Sequence, residues 1–354
     1  MPPAGFSIMS RSSNSSGETI AGHRICLSLD SPVRPATSPH VVGTPQTRFR
    51  PVLRDVRHLH HPISWNVFLL GCGSRVGIRE KGPRTMPYVS ADDGVKIYYT
   101  DTGGDGPAVM LVHSFFMDAD MWQPQVEALG GDYRVICLDT RGHGRTDDAG
   151  VPFDSWRLAW DGWAVANHLG IERLVLGGLS QGGWVVLRMA LQHRSRTRGL
   201  VLIGTSADAY SEKERDGYEQ VIVDGWVNGS RPIEEIGPPM AAVMIGGDRE
   251  THQEPWVEKW VAHDRRRLGL AARCLIDREG ISSMLGAITA STILLRGAGD
   301  QAFTHDQMQA LADGLAGPTR FETVRADGLT HLCSWTHPQL VNPLLREFLD
   351  DLPD

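Results

Sequence analysis

Six short, largely apolar runs recur along the chain, at residues 108–112, 134–138, 174–176, 200–203, 293–295 and, more weakly, 321–324. Most lack the polar alternation of a half-exposed strand, and runs of this length and apolarity suit strands covered on both faces. Between several of them lie segments with helical character. Trp156, Trp160 and Trp163 fall at i, i+4 and i+7, and a second helical stretch runs over 182–193. Strand alternating with helix predicts a mainly parallel sheet wrapped by helices. Ahead of the first run, Val95, Ile97 and Tyr99 alternate with Lys96, Tyr98 and Thr100 as in a half-buried strand, and turn residues over 101–106 complete a first hairpin.

One interval breaks the alternation. About 90 residues separate the runs at 200–203 and 293–295, far more than a single crossover needs. The spacing predicts an insertion of several amphipathic helices over roughly 206–285, carrying Trp226, Trp256, Trp260 and the triplet Arg265-Arg266-Arg267. It reads as a lid or as extra helical packing.

Charge marks a second boundary. Residues 1–85 hold ten Arg and one Lys against two Asp and two Glu, a net of +7, which leaves −14 for residues 86–354 out of the overall −7. The first stretch also carries eleven Ser and no sustained period of 2 or 3.6. Three readings stay open for it: a disordered appendage or sequence upstream of a natural start at Met86, an Arg- and Ser-rich organelle leader, or a lipid anchor at Cys72 behind Leu69-Leu70-Gly71. Globular signals begin at Met86.

The overall negative charge argues against a chain built to hold nucleic acid, because phosphate binding needs clustered positive charge. Five cysteines, Cys26, Cys72, Cys137, Cys274 and Cys333, lack CxxC spacing, so neither a disulfide framework nor a zinc site is expected. The apolar runs fall well short of the roughly 20 residues of a spanning helix. These features predict a cytoplasmic protein with a small-molecule partner, no nucleic acid and no membrane.

The motif with the most chemistry is Gly178-Leu179-Ser180-Gln181-Gly182, between the run at 174–176 and a helical stretch through Trp184, Val185 and Leu187. This is G-x-S-x-G in strand-turn-helix context. A nucleophilic Ser must project from a tight turn, and glycines two residues to either side let strand and helix approach. Its hydroxyl needs a base to take its proton and an acid to orient that base. After the run at 293–295 comes Arg296-Gly297-Ala298-Gly299-Asp300, and after 321–324 comes Ala326-Asp327-Gly328-Leu329-Thr330-His331. Asp300 is the expected acid and His331 the expected base. Asp208, after the run at 200–203, is the rival acid, whereas Asp327 stands too close to His331 in sequence to orient it.

From about Met86 to the C-terminus these residues resemble the α/β-hydrolase superfamily. Leu111-Val112-His113-Ser114-Phe115 resembles its oxyanion loop, and 139–146, Asp-Thr-Arg-Gly-His-Gly-Arg-Thr, resembles its D-x-R-G-H-G-x-S/T turn. The resemblance implies an α/β fold of eight mainly parallel strands flanked by helices, with a helical lid after strand 6. It also implies an oxyanion hole made by the backbone N–H groups of Phe115 and Gln181. Ser114 replaces the usual Gly, and Leu329-Thr330 stands where Ala-Gly often precedes the His. Ser114 and the stretch Met121-Trp122-Gln123-Pro124-Gln125 are similar to 3-oxoadipate enol-lactonases. In this resemblance His113 and His143 fix loops and are not bases.

The expected function is a serine hydrolase cleaving a carboxylic ester or lactone through an acyl-enzyme, with no metal or organic cofactor. Two other classes stay in view: a cofactor-free dioxygenase or perhydrolase, to which Gly182-Gly183-Trp184-Val185 is locally similar, and a non-catalytic ligand-binding protein of the same fold. Phe116, Met117, Met121 and Trp122 beside the hole, with the insertion's tryptophans, predict an apolar pocket and a neutral substrate, unless Arg265–Arg267 supply a cation.

Overall fold

A computed structural model describes residues 87–353 apart from Leu329. The alternative readings of residues 1–85 concern chain outside the described residues. Eight strands form one sheet: β1 (Tyr88–Ser90), β2 (Lys96–Asp101), β3 (Ala108–Val112), β4 (Arg134–Leu138), β5 (Leu174–Leu179), β6 (Thr197–Ile203), β7 (Ser291–Gly297) and β8 (Thr319–Val324). Their order across the sheet is β1-β2-β4-β3-β5-β6-β7-β8. From β4 to β8 all pairs are parallel, while β1 and β2 are antiparallel to their neighbours.

The apolar runs occupy the middle of this sheet because both faces are covered there. Met110 of β3 stands between Ile136 of β4 and Leu176 of β5 in register, and all three are fully buried. The first hairpin differs from the sequence expectation. β2 pairs with β1 through the turn at Gly94 and with β4 on its other side, so residues 101–106 lead into β3 without pairing β2 to it. The amphipathic β2 belongs near the edge, and the uniformly apolar β3 takes the interior.

Helices α1 (Gln123–Leu129), α2 (Ser155–His168) and α3 (Gln181–Gln192) follow β3, β4 and β5. The Asp154 carboxylate accepts from Arg157 N–H and caps the start of α2. The inward stripe of α2 runs through Leu158, Gly162 and Trp163, and Trp160 lies outside it, exposed, contrary to the tryptophan spacing. Asp161 can be buried because Arg141 meets it with two hydrogen bonds of 2.6 and 2.8 Å.

Between β6 and β7 come α4 (Glu212–Tyr218), a π-helical stretch (Glu219–Val227), α5 (Ile233–Met244), a second π-helical stretch (Arg249–Gln253), α6 (Glu254–Ala262) and α7 (Gly269–Ile276). The expected helical insertion therefore sits after the sixth strand. Helices α8 (His305–Gly314), α9 (Cys333–Thr336) and α10 (Pro338–Asp350) complete the chain. Among the described residues no helix is long and apolar enough to cross a membrane, and Cys137, Cys274 and Cys333 are buried free thiols.

Candidate active site

The C-terminal ends of the parallel strands gather the chemistry. Ser180 follows β5 directly and holds φ 55°, ψ −115°, a left-handed conformation that costs a non-glycine residue energy and persists only when its surroundings enforce it. The enforcement is visible. Ser180 N–H donates to Ile203 O at 2.9 Å, and Ser180 O accepts from Thr205 Oγ1–H at 2.9 Å. A Cβ on Gly182 would lie 2.0 Å from Val112 O, so only glycine lets α3 start this close to the end of β3.

Asp300 follows β7 and His331 follows β8. Both are buried, and His331 Nδ1 stands 3.0 Å from Asp300 Oδ2. The other oxygen, Oδ1, accepts from Ala302 N–H at 2.8 Å and Phe303 N–H at 3.2 Å. Burial pushes the Asp300 carboxyl upward, but the His331 ring and these two N–H groups outweigh it, so the acid ends below its ordinary range. Gly299 N–H donates to Thr330 Oγ1 at 2.8 Å, which ties the acid's loop to the residue before His331. Phe303 stacks on the imidazole at 5.8 Å between ring centres.

Gly204 joins this pair to Ser180. A Cβ there would stand 2.8 Å from Asp300 Oδ2 and 3.1 Å from His331 Nδ1, and the residues on either side, Ile203 and Thr205, are the two that hold the Ser180 backbone. The rival acid lies elsewhere: Asp208 is exposed and accepts from Ser282 Oγ–H, and Asp327 is exposed.

The loop after β3 has its own logic. Ser114 O accepts from His113 Nδ1–H at 2.8 Å and from Met117 N–H at 3.1 Å. Thr140 N–H donates to His113 Nε2 at 2.9 Å, which fixes the proton on Nδ1. Because a peptide is planar and trans, a carbonyl held this way points the following Phe115 N–H to the opposite side. The Gln181 N–H is at the first position of α3, where helix geometry leaves it without an intrahelical acceptor. Gln181 Nε2–H also donates to Thr140 Oγ1 at 3.4 Å, so the elbow and the turn after β4 are stitched together.

Burial pulls the His113 pKa down to about 4 and the His143 pKa well below its ordinary value. Both are neutral fixtures at neutral pH. Asp139, on the turn after β4, is pushed up by burial to about 6, with Asp118 adding to the effect, while it accepts from Ala119 N–H at 2.7 Å and Arg145 N–H at 2.8 Å.

Met121 and Trp122 do not line an open pocket. Both are fully buried, and Met121 Sδ accepts from Ser114 N–H at 3.3 Å, so they support the loop from beneath. The insertion's tryptophans do meet the loop. Trp226 and Trp260 pack on the Phe116 ring at 4.7 and 5.7 Å, and with Trp256 they line a narrow crevice of about 40 Å³ that opens between the insertion, Phe116–Asp118 and the turn at 142–144. Sequence reasoning missed Gly204, Phe303, Lys259 and the hydrogen bond from Trp260 to this loop, because nothing local marks any of them. Among the described residues no group of three His, Cys, Asp or Glu side chains is placed to hold a metal ion.

The family described as alpha/beta hydrolase fold matches residues 107–230. The chain is 30% identical over 242 residues to 3-oxoadipate enol-lactonase 1 of Acinetobacter baylyi, which covers 64% of this chain and 84% of that protein. The chain belongs to the α/β-hydrolase family. It is an enzyme of that superfamily. It is also 29% identical over 284 residues to a non-heme haloperoxidase of Rhodococcus erythropolis, covering 75% of this chain and all of that protein. Among solved structures, a thermophilic esterase from Thermogutta terrifontis aligns at a TM-score of 0.64 with 27% identity, over 75% of this chain and 97% of that one. The enol-lactonase from Burkholderia xenovorans aligns at 0.64 with 25% identity, over 75% and 100%.

Proposed function

We propose that this α/β-hydrolase cleaves a carboxylic ester or lactone through an acyl-enzyme. Ser180 attacks the carbonyl, His331 takes the serine proton and returns it to the leaving oxygen, and Asp300 holds the imidazole in the tautomer that leaves Nε2 free to accept. The N–H groups of Phe115 and Gln181 receive the oxyanion, charge that exists only at the tetrahedral stage and so contributes selectively to the transition state. Water then releases the acid by the same route. The observation that carries this reading is the buried Asp300–His331 hydrogen bond lying against Gly204, whose two neighbours hold the strained Ser180 backbone.

The substrate we propose is neutral and moderately apolar. The insertion's arginines already have partners: Arg265 donates to the carbonyls of Gly225, Gly229 and Arg231, and Arg267 to those of Gly144 and Thr146. Arg266 is exposed and paired with Asp264. An acidic substrate would have to displace one of these contacts and bury its carboxylate at high cost.

Labelling of Ser180 with a fluorophosphonate, absent in Ser180→Ala, together with turnover of p-nitrophenyl esters or a lactone panel, tests the reading. The absence of both label and turnover would overturn it. The haloperoxidase relative favours a second reading in which hydrogen peroxide, in place of water, attacks the same acyl-enzyme, releasing a peracid and regenerating the serine hydroxyl. A peracid assay run on the same panel separates the two.

A further inference from the structure

The turn that presents Phe115 is of an unfavourable kind. Ser114 O accepts from Met117 N–H across four residues, and Phe116, the third of them, has φ 68° while Phe115 keeps a negative φ. That combination is the type II pattern, in which the third position favours Gly or Asn and a bulky residue is strained. Something outside the turn must hold it. The Phe116 carbonyl accepts a buried hydrogen bond of 2.8 Å from Trp260 Nε1–H, and the Phe116 ring is enclosed by Phe115, Trp226 and Trp260. One residue earlier on α6, Lys259 Nζ donates to both oxygens of Asp118 at 2.9 Å and to Asp120 Oδ2 at 2.6 Å. Asp118 in turn accepts from Asp120 N–H and caps the turn that follows the loop.

The geometry points to Trp260 as a positioning residue for the oxyanion hole, with Lys259 as its partner on the same helix. This rests on the ester-hydrolase reading and deepens it: helix α6 of the insertion holds the turn that aims the Phe115 N–H. Without the Trp260 hydrogen bond the left-handed Phe116 loses its main restraint, and the turn relaxes toward a conformation in which that N–H no longer meets the developing charge. Donor misplacement of this kind acts on the transition state and hardly on ground-state binding, so it falls on kcat.

Trp260→Phe keeps an aromatic ring against Phe116 and removes only the donor. Expected is a fall in kcat of about tenfold or more with KM within about twofold, matched by an equal loss of affinity for a trifluoromethyl ketone, which mimics the tetrahedral adduct. Glycine adopts the left-handed turn without help, so in a Phe116→Gly background the same Trp260→Phe change should cost less than about threefold. Lys259→Gln, at the less buried end of the latch, should show the same split at about threefold and keeps the test readable if Trp260→Phe does not fold. Unchanged kcat and inhibitor affinity in these variants, or a loss confined to KM, would overturn the inference while the wild type still labels at Ser180 and turns over ester. A wild type that neither labels nor turns over would overturn the underlying hydrolase reading instead.

Discussion

His331 and Asp300 meet through a single buried hydrogen bond of 3.0 Å, and the carboxylate oxygen not used by the imidazole is taken by two backbone N–H groups. Asp300 is thus oriented from behind before it orients anything itself. Asp300→Asn presents either a carbonyl or an NH2 to Nδ1 and destroys this arrangement, so kcat should fall by about 10³ to 10⁴. Asp208→Asn, which only loses an exposed contact with Ser282, should stay within about threefold. Steady-state kinetics of the two variants on one ester decide between these carboxylates, and a mild Asp300→Asn would remove it as the acid.

Ser180 pays for its position with backbone strain, which separates its chemical role from its structural one. Ser180→Ala should abolish turnover and leave stability near wild type, because alanine inherits the same φ of 55°. Ser180→Gly should abolish turnover too, but raise stability by roughly 1 kcal/mol relative to alanine, since glycine adopts that conformation freely. Calorimetry on the two variants reads the difference directly. Equal melting temperatures would mean that the elbow stores no strain.

Acid should loosen the fold through His113. Its folded pKa, drawn down by burial to about 4, lies below the ordinary value of 6.5, so the unfolded chain takes up this proton first as pH falls. Stability from this group is complete above pH 6.5, declines between 6.5 and 4, and levels off below. The full effect is on the order of 3 kcal/mol. Protonation of Nε2 would also set an N–H against Thr140 N–H, which now donates to it. Urea titrations at pH 7.5, 5.5 and 4.5 should show a smaller slope in His113→Gln than in wild type. Identical slopes would assign the acid sensitivity to other groups.

The turn after β4 rests on a buried ion pair. Arg141 meets Asp161 through Nε and Nη2 with both side chains buried, and reaches Asp93 through Nη1 at 2.6 Å and through the shared Nη2 at 3.0 Å. Removing Arg141 leaves the buried Asp161 with Arg157 alone, at 3.0 Å, so Arg141→Met should destabilise by about 3 kcal/mol, while Arg141→Met combined with Asp161→Leu should recover part of the loss. Chemical denaturation of the single and double variants measures the coupling.

The sheet was readable because its signal is local. Runs at 108–112 and 134–138 coincide with β3 and β4, and those at 174–176, 200–203 and 293–295 fall inside longer strands whose ends carry polar or glycine residues such as Thr197, Gly177 and Gly297. Ser180, Asp300 and His331 fall on the loops after β5, β7 and β8 for the same reason: each follows a recognisable strand. What stayed hidden depends on contacts across long separations. Trp260 and Phe116 are 144 residues apart, and nothing near either one marks a hydrogen bond between indole and carbonyl. The π-helical stretch at Glu219–Val227 is equally silent, because its hydrogen-bond register differs from an α-helix without a distinct residue pattern.

Each methylene removed from water contributes about 0.8 kcal/mol, whereas a carboxylate buried without a cation is strongly penalised. The cations nearest the loop are committed: Lys259 to Asp118 and Asp120, Arg267 to two carbonyls and Asp147, and Arg265 to three carbonyls of the insertion. Neutral p-nitrophenyl esters should therefore show higher kcat/KM than esters of the same length ending in a carboxylate, by about tenfold or more. Arg266→Ala should leave that ratio unchanged, because its guanidinium is exposed and serves only Asp264. Preference for the acidic ester, lost in Arg267→Gln, would show instead that the insertion releases an arginine to the substrate.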